Sequence, residues 1–403
     1  MKNLYLFTDS FPYGSGETFL ENEITYLCNK FNAIYIIPIF SNYSQKLRNT
    51  PENSTVLKPP FKCLKNKKEL MLKGIFNTSP IFSFINEFFS KKVYSNPKKI
   101  WNWGTHFLIT RNLIRYLKKN NLLNLFNDKN NICYFYWGVR WSYILPFIDE
   151  INSKIVVRFH GSDLYEELNH NYIPFRKEQI IKINYAIFIS KYGLDYFEKK
   201  YPFFSGKKHL GRLGTEDYGL NPYNKGSYIT IVSCSNLVRI KRVDLIAKSL
   251  SLFNEKVKWI HFGDGPEMKR IKKLVKTLPP NIKVQLMGRV ANKDLMNFYS
   301  KNPVDLFINT SYSEGVPVSI MEALSFGIPV VATNVGGTPE IVDNEVGWLL
   351  DKDTSPETIA EIIKKLINNE NYYQLRINAR QRWEKLCCAS RNYNDFVNFL
   401  MSL

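Results

Sequence analysis

A chain of 403 residues, 44% of them apolar and with 28 Phe and 24 Tyr, can build two domains with large cores; the composition excludes a disordered chain. Six cysteines without CxxC or metal-ligand spacing and five unclustered histidines exclude, as expectations, a disulfide scaffold and a bound structural metal. The net charge of +19 points to anionic partners, namely phosphate-rich ligands, nucleic acid or an anionic membrane surface, and no apolar run reaches the roughly 18 residues of a spanning helix.

Leu4 to Thr8 reads as a short apolar strand. It is too short for a signal-peptide core, so the chain is expected to stay in the cytosol. Phe11-Pro12-Tyr13-Gly14-Ser15-Gly16 is rich in turn residues. Glu17 to Lys30 has helical spacing through Phe19, Ile24 and Leu27, and Ala33 to Phe40 is a β-branched run. This is a βαβ opening with glycines at its first turn.

Between Lys58 and Lys119 the alternation breaks. Fourteen Lys/Arg face two acids there, so 14 − 2 = +12 of the +19 lies in this stretch. Phe61, Phe76, Phe82, Phe84, Phe88, Phe89, Trp101, Trp103 and Phe107 are interleaved with lysines, among them the pairs Lys67-Lys68, Lys91-Lys92, Lys98-Lys99 and Lys118-Lys119. We read 58–120 as a basic, aromatic helical insertion that docks peripherally on an anionic leaflet.

Apolar strands resume at Ile132 to Trp137, Ile155 to Phe159 and Tyr185 to Ile189. Asn221-Pro222-Tyr223-Asn224-Lys225-Gly226 reads as a linker. A second series follows, with strands at Tyr228 to Ser233, Val257 to Phe262, Lys283 to Met287, Leu306 to Asn309 and Pro329 to Ala332. Helices are expected at Asp244 to Phe253, at Lys293 to Ser300 and after Thr354-Ser355-Pro356-Glu357. The expected fold is α/β, with two doubly wound domains and ligands at the carboxyl ends of the strands, in a cleft between the domains.

The most informative string is Asn309-Thr310-Ser311-Tyr312-Ser313-Glu314-Gly315-Val316-Pro317-Val318-Ser319-Ile320-Met321-Glu322-Ala323-Leu324. A strand ends at Asn309, and a helix begins near Pro317, where a missing N–H costs nothing. Glu322 is a lone carboxylate among Ile320, Met321, Ala323 and Leu324, so it needs hydrogen-bond donors or a cleft. N–H groups at the helix start suit a diphosphate.

Here the sequence resembles the family-4 retaining glycosyltransferases, within the glycosyl transferases group 1. The paired Glu314 and Glu322 carry the likeness, together with Gly327-Ile328-Pro329-Val330-Val331-Ala332-Thr333, Gly336-Gly337-Thr338-Pro339-Glu340 and Gly347-Trp348-Leu349-Leu350. The likeness implies a GT-B fold. It places Glu314 on the donor-sugar hydroxyls and Glu322 on the ribose. The N–H groups of Gly315, Val316 and Val318 fall beside the diphosphate.

Ser233-Cys234-Ser235-Asn236-Leu237-Val238-Arg239-Ile240-Lys241-Arg242 is similar to the family's phosphate-binding stretch. Lys241 fits the usual Lys; Asn236 stands where Arg is usual, leaving Arg242 or Arg239 to compensate. Gly263-Asp264-Gly265 resembles the glycine turn of the nucleotide domain, and Gly288-Arg289-Val290 the loop that meets the base, with Val290 at the contact. In the first half, Phe159-His160-Gly161-Ser162-Asp163 resembles the element facing donor sugar and acceptor, and Gly14-Ser15-Gly16-Glu17-Thr18-Phe19 the first donor loop.

The resemblance thus implies transfer of a sugar from a nucleotide-sugar donor to an acceptor hydroxyl with retention, in bacterial surface polysaccharide or glycoconjugate synthesis. It implies a glycan or lipid-linked acceptor, and Glu314, His160 and Asp163 at the reacting side. No DxD-type carboxylate cluster lies near these loops, so no catalytic metal and no cofactor are expected. The expected domains are 1–220, 226–380 and a helix at 381–403 returning to the first domain. Rival readings are a nucleotide-sugar epimerase of the same fold, a glycoside hydrolase with carboxylates about 5–5.5 or 6.5–9.5 Å apart, and a nucleic-acid binder, for which no recognition motif exists.

Overall fold

The computed structural model describes residues 2–14, 16–41, 47–62, 81–224 and 226–403. The chain forms two compact units, Met1–Gly211 with Tyr393–Leu403, and Arg212–Asn392.

The first unit is built on β1 (Asn3–Thr8), β2 (Ala33–Pro38), β3 (Ser54–Val56), β4 (Ile132–Phe135), β5 (Lys154–Phe159), β6 (Tyr185–Phe188) and β7 (Lys207–Leu210). All pairings are parallel, in the order β3-β2-β1-β4-β5-β6-β7. The central strands are covered on both faces, which is why Ile132–Phe135 and Ile155–Val157 read as unbroken apolar runs. At the edge β7 carries Lys207 and Lys208, exposed, and charge on an edge strand blocks further pairing. Helix α1 (Phe19–Cys28) connects β1 to β2 and buries Leu20, Ile24 and Leu27.

The insertion forms α2 (Ile81–Ser90), a short turn at Val93–Ser95, and α3 (Pro97–Lys119). Asn96 caps α3 by accepting the Lys98 N–H, with Pro97 at the first position. Leu113 and Leu117 of α3 are fully buried in the core beside Phe126, Phe135 and Trp141. Residues 63–80, with the Lys67-Lys68 pair, lie outside the described residues. Three further helices belong to this unit, α4 (Gly161–Leu164), α5 (Arg176–Ile181) and α6 (Lys191–Lys200).

The second unit holds β8 (Ile229–Cys234), β9 (Val257–Phe262), β10 (Ile282–Gly288), β11 (Leu306–Asn309), β12 (Val330–Thr333) and β13 (Gly347–Leu350). They pair in parallel as β10-β9-β8-β11-β12-β13. Between them lie the helices α7 (Val243–Leu250), α8 (Met268–Val275), α9 (Asn292–Lys301) and α10 (Val318–Ser325). Helix α11 (Pro356–Ile367) follows β13, where Ser355 caps it by accepting the Thr358 N–H.

Asn221, the first residue of the expected linker, is not free. Asn221 is buried, and its side-chain amide donates to the carbonyls of Tyr299 (2.5 Å) and Asn302 (2.8 Å), while Arg376 donates to the Asn221 carbonyl (3.3 Å). A turn-rich composition does not distinguish a tether from a segment stapled to its domain. The end of the chain also differs from a single returning helix. Helix α12 (Tyr372–Leu386) stays with the second unit, its Trp383 indole donating to Thr215 Oγ1 (2.8 Å). Helix α13 (Ala389–Ser402) carries the chain into the first unit, where Phe396, Val397 and Leu400 are buried with Leu4, Leu6 and Tyr134.

Candidate functional site

Both sheets reverse their strand order once, at β1/β4 in the first unit and at β8/β11 in the second. Loops leaving such a switch point diverge, and ligands of open α/β sheets lie in the crevice that opens there. Some of the residues singled out from sequence lie on the loops that leave these strands: Gly14 and Gly16 after β1, Lys241 after β8 and Glu314 after β11.

In the second unit the loop after β8 ends in a tight turn, Arg239–Lys241, and the loop after β11 carries Glu314. Lys241 Nζ lies 2.6 Å from Glu314 Oε1, and Asn309 Nδ2 donates to the same oxygen at 3.3 Å. Two residues 73 positions apart thus form a charged pair at the mouth of the switch point. Helix α10 starts four residues after Glu314, at Val318, with Pro317 as its cap, Val316 buried, and the Gly315 carbonyl accepting the Gly337 N–H at 2.6 Å.

Glu322 lies on α10 and is 8% exposed. Asn292 Nδ2, at the start of α9, donates to its Oε1 at 2.6 Å. Burial pushes the Glu322 carboxyl up to about 7, against the lowering effect of the Asn292 bond. Cys234 and Tyr299 lie near this carboxylate, which raises both their pKa values further above what burial does.

The stretch replacing the usual Arg is resolved by geometry. Asn236 is exposed and carries no charge. Arg242 is tied to protein groups. Its Nε donates to the Thr310 carbonyl (2.8 Å), Nη1 to the Lys352 carbonyl (2.5 Å), and Nη2 to Ser311 O (3.5 Å) and Thr333 Oγ1 (3.4 Å). The guanidinium holds the 310–311 loop in place. Arg239 is 90% exposed, with Nε 3.6 Å from Glu267. Lys241 is the cation that meets the Glu314 carboxylate itself.

The turn Gly263-Asp264-Gly265 packs against the 235–237 segment. Gly263 donates to the Gly288 carbonyl (2.8 Å), and Leu237 donates to the Asp264 carbonyl (3.0 Å). Gly263 has φ +139°, and a Cβ there would lie 1.9 Å from the Ser235 carbonyl oxygen. The glycine therefore permits a close backbone approach and need not itself touch a ligand. Val290 follows β10, half-buried.

In the first unit, His160 follows β5 as the cap of α4, and Asp163 lies on α4. Asp163 is 1% exposed. One carboxylate oxygen accepts the His160 N–H and the other the Gly138 N–H, each at 2.6 Å. Arg176 donates to the Gly138 carbonyl at 2.9 Å and to the Asp163 carbonyl. Asp163 thus ties the loop after β4 to the loop after β5, which is a positioning role; the reacting-side role expected for it is not what this burial supports. The His160 ring packs at a tilt against Trp137 (4.2 Å) and Tyr136 (5.0 Å).

Gly14 has φ +71°, Gly16 is exposed, and Ser15 is outside the described residues. The residue that organises this loop is Glu17, with φ +53°. Its carboxylate accepts the N–H groups of Asp9 (2.8 Å), Ser10 (2.7 Å) and Phe11 (2.6 Å) and the Trp137 indole (2.8 Å). Four donors on one carboxylate hold a left-handed backbone that a glutamate otherwise avoids. Glu17 follows a Gly-Ser-Gly turn within the string that resembles the first donor loop, which was its only sequence signal. Asn292 had none, being 30 residues from Glu322. Among the described residues no group of three or more His, Cys, Asp or Glu is placed to hold a metal ion.

The chain is similar to known proteins in sequence and in fold. Residues 221–385 match the family described as glycosyl transferases group 1. The chain is 30% identical over 154 residues to a human component of phosphatidylinositol N-acetylglucosaminyltransferase, covering 38% of this chain and 31% of that protein. It is 25% identical over 245 residues to N-acetyl-alpha-D-glucosaminyl L-malate synthase of Bacillus anthracis, covering 57% and 62%. These alignments span from under a third to about three fifths of the relatives' length. Among solved structures, Anabaena Alr3699/HepE in complex with UDP and glucose superposes with a TM-score of 0.64 at 15% identity, over 100% of both chains. Sucrose-phosphate synthase from Thermosynechococcus elongatus gives 0.70 at 13% identity, over 100% of this chain and 99% of that one. The structural likeness shows the fold, two Rossmann-like domains of the GT-B type.

Proposed function

We propose that this chain, which belongs to the glycosyl transferases group 1 through its residues 221–385, moves a sugar from a nucleoside diphosphate sugar to an acceptor hydroxyl. The observation that carries the proposal is the Lys241–Glu314 pair, 2.6 Å apart at the switch point of the second sheet. A cation there meets the diphosphate, and a carboxylate beside it accepts from the donor-sugar hydroxyls. Glu322, held by Asn292, takes the ribose hydroxyls.

In the reaction the bond between the anomeric carbon and the diphosphate oxygen breaks, and its electron pair goes to the diphosphate. The acceptor oxygen bonds to that carbon and passes its proton to the departing diphosphate. Lys241 and the N–H groups of Gly315, Val316 and Val318 stabilise the charge on the departing diphosphate, each charge-assisted contact contributing about 1.5–3 kcal/mol. Retention at the anomeric carbon, no requirement for a metal, and a role in surface polysaccharide or glycoconjugate synthesis on the cytoplasmic side belong to the same proposal. The relatives support it: one is named as part of a phosphatidylinositol N-acetylglucosaminyltransferase and another as an N-acetylglucosaminyl malate synthase.

The test is a titration of UDP, GDP, their parent nucleosides and UDP-sugars against wild type and Lys241→Ala. The variant should lose about 10- to 100-fold in affinity for the diphosphate that wild type binds. Its affinity for the parent nucleoside should stay unchanged. Equal losses for both would mean that Lys241 acts through the loop, and no binding of any nucleotide would overturn the proposal.

A further inference from the structure

The insertion in the first unit presents an outer face that the fold leaves uncovered. Helix α2 carries apolar residues on more than one side, yet among them only Phe84 is fully buried. Phe82, Ile85 and Phe89 recur at helical spacing, with Phe82 85% and Phe89 64% exposed. Tyr94, Ile100 and Trp101 extend the same exposure through the turn into α3, with Trp101 58% exposed. Six of the large apolar side chains exposed among the described residues therefore fall within twenty positions. Isolated exposed apolar residues are ordinary; a concentration like this marks a surface that meets something.

The charge around it has one sign. From residue 81 to 119 there are eight Lys/Arg and one acid, 8 − 1 = +7. The acid, Glu87, is buried, accepting the Phe175 N–H (3.2 Å) and the Tyr172 hydroxyl (3.3 Å). Lys91, Lys92 and Lys98 are exposed beside the aromatics. Lysines alone would suit any polyanion, including a nucleic acid. Protruding Phe and Trp between them need a partner that is anionic at its surface and apolar just beneath, which describes a lipid headgroup layer over acyl chains.

The inner face of the same helices grips the loop that follows Asp163. Phe84 packs on Phe175 (4.6 Å), Asn102 donates to the Asn169 carbonyl (3.4 Å), and Lys99 lies over the Tyr172 ring (5.8 Å). Among the described residues no helix is long and apolar enough to cross a membrane.

We propose that the outer face of α2 and the start of α3 is a docking surface for an anionic lipid bilayer. It lies on the element whose inner face holds the loop after Asp163. The proposal stands apart from the transferase reading, since its test uses no donor. The purified chain is sedimented with phosphatidylcholine vesicles with and without about 30 mol% phosphatidylglycerol, from about 50 to about 500 mM salt. Wild type should bind only the anionic vesicles, and more weakly as salt rises.

The variant Phe82→Ser/Phe89→Ser/Trp101→Ser should lose binding at every salt. Replacing Lys91, Lys92 and Lys98 by Gln should lower partitioning about fivefold for each lysine. Both variants should keep the wild-type thermal midpoint. Should either unfold, the wild-type protein still decides: its tryptophan emission should shift to the blue with anionic vesicles, and Trp101→Phe should remove that shift. Equal binding to neutral vesicles, no binding to anionic ones, or retention of binding by the aromatic variant would each overturn the proposal. So would binding to RNA as tight as to vesicles and independent of the aromatics.

Discussion

At the residue scale the candidate site depends on how single polar groups are partnered. Glu322 is the clearest case. Its carboxyl rises from 4.5 to about 7 because it is buried. The folded protein therefore binds a proton there that the unfolded chain releases. The stability this provides is fully present below pH 4.5 and is lost as pH rises through 7. Donor affinity should move the opposite way, rising between about pH 6 and 8 as the carboxylate ionises and accepts more strongly from the ribose. Asn292→Ala removes the bond that favours the ionised form, so the midpoint should move up by about one unit. Glu322→Gln should abolish the pH dependence, weaken donor binding, and raise stability at pH 8 by up to about 3 kcal/mol. A Glu322→Gln protein less stable at pH 8 than at pH 4.5, relative to wild type, would refute this account, as would a midpoint insensitive to Asn292.

At the scale of elements, the second unit's site is a set of loops held by one another. Arg242 clamps the loop at 310–311, and the Gly336-Gly337 turn supports Glu314 from behind through the Gly337 N–H to Gly315 bond. Gly336 has φ +55°, and a Cβ there would lie 2.0 Å from the Glu314 carbonyl oxygen. A methyl group must push the Glu314 loop away. Gly336→Ala should therefore cost at least about 2 kcal/mol in stability from backbone strain and displacement. It should also weaken nucleotide-sugar binding more than binding of the bare nucleoside, because Glu314 and Gly315 shift while Glu322 stays on its helix. Denaturant unfolding beside titration of both ligands measures the two effects. Equal loss for the two ligands would show a general collapse of the unit.

At the scale of the molecule, the first unit is completed by the end of the chain. Arg158 and Glu23 form a fully buried ion pair, and the Tyr134 hydroxyl also donates to Glu23 (3.0 Å). The Arg158 guanidinium lies 4.3 Å from the Phe396 ring of α13. Charges this deep are tolerated only because they are paired; removing one partner leaves the other unpaired, at a cost of about 3–5 kcal/mol. Arg158→Met should therefore lower stability by that amount and expose the chain after about residue 392 to proteolysis. The double variant Arg158→Met/Glu23→Gln should recover most of the loss. A double variant no more stable than the single one would mean that Arg158 acts through ring packing and not through charge.

The sequence by itself determined the alternation of strands and helices, the two doubly wound units, and the Glu314–Glu322 string on its loop and helix. These follow from local pattern: unbroken apolar runs make buried parallel strands, and Pro317 marks the start of a helix. Short elements at the sheet edge escaped it, because Ser54–Val56 and Lys207–Leu210 have no apolar run to announce them. The stapling of Asn221 escaped it as well, because its partners lie about 80 positions away or more.

Only the tertiary structure decided which cation meets Glu314. The resemblance put Lys241 at the phosphate position and left Arg242 and Arg239 open; the left-handed backbone at Arg242 turns its guanidinium onto carbonyls of the 310–311 loop. It likewise gave Asp163 its role as a tie between loops, and supplied Glu17 and Asn292, whose partners are distant in sequence. Pairing between remote polar groups depends on how the strands are ordered, and no local spacing encodes that order.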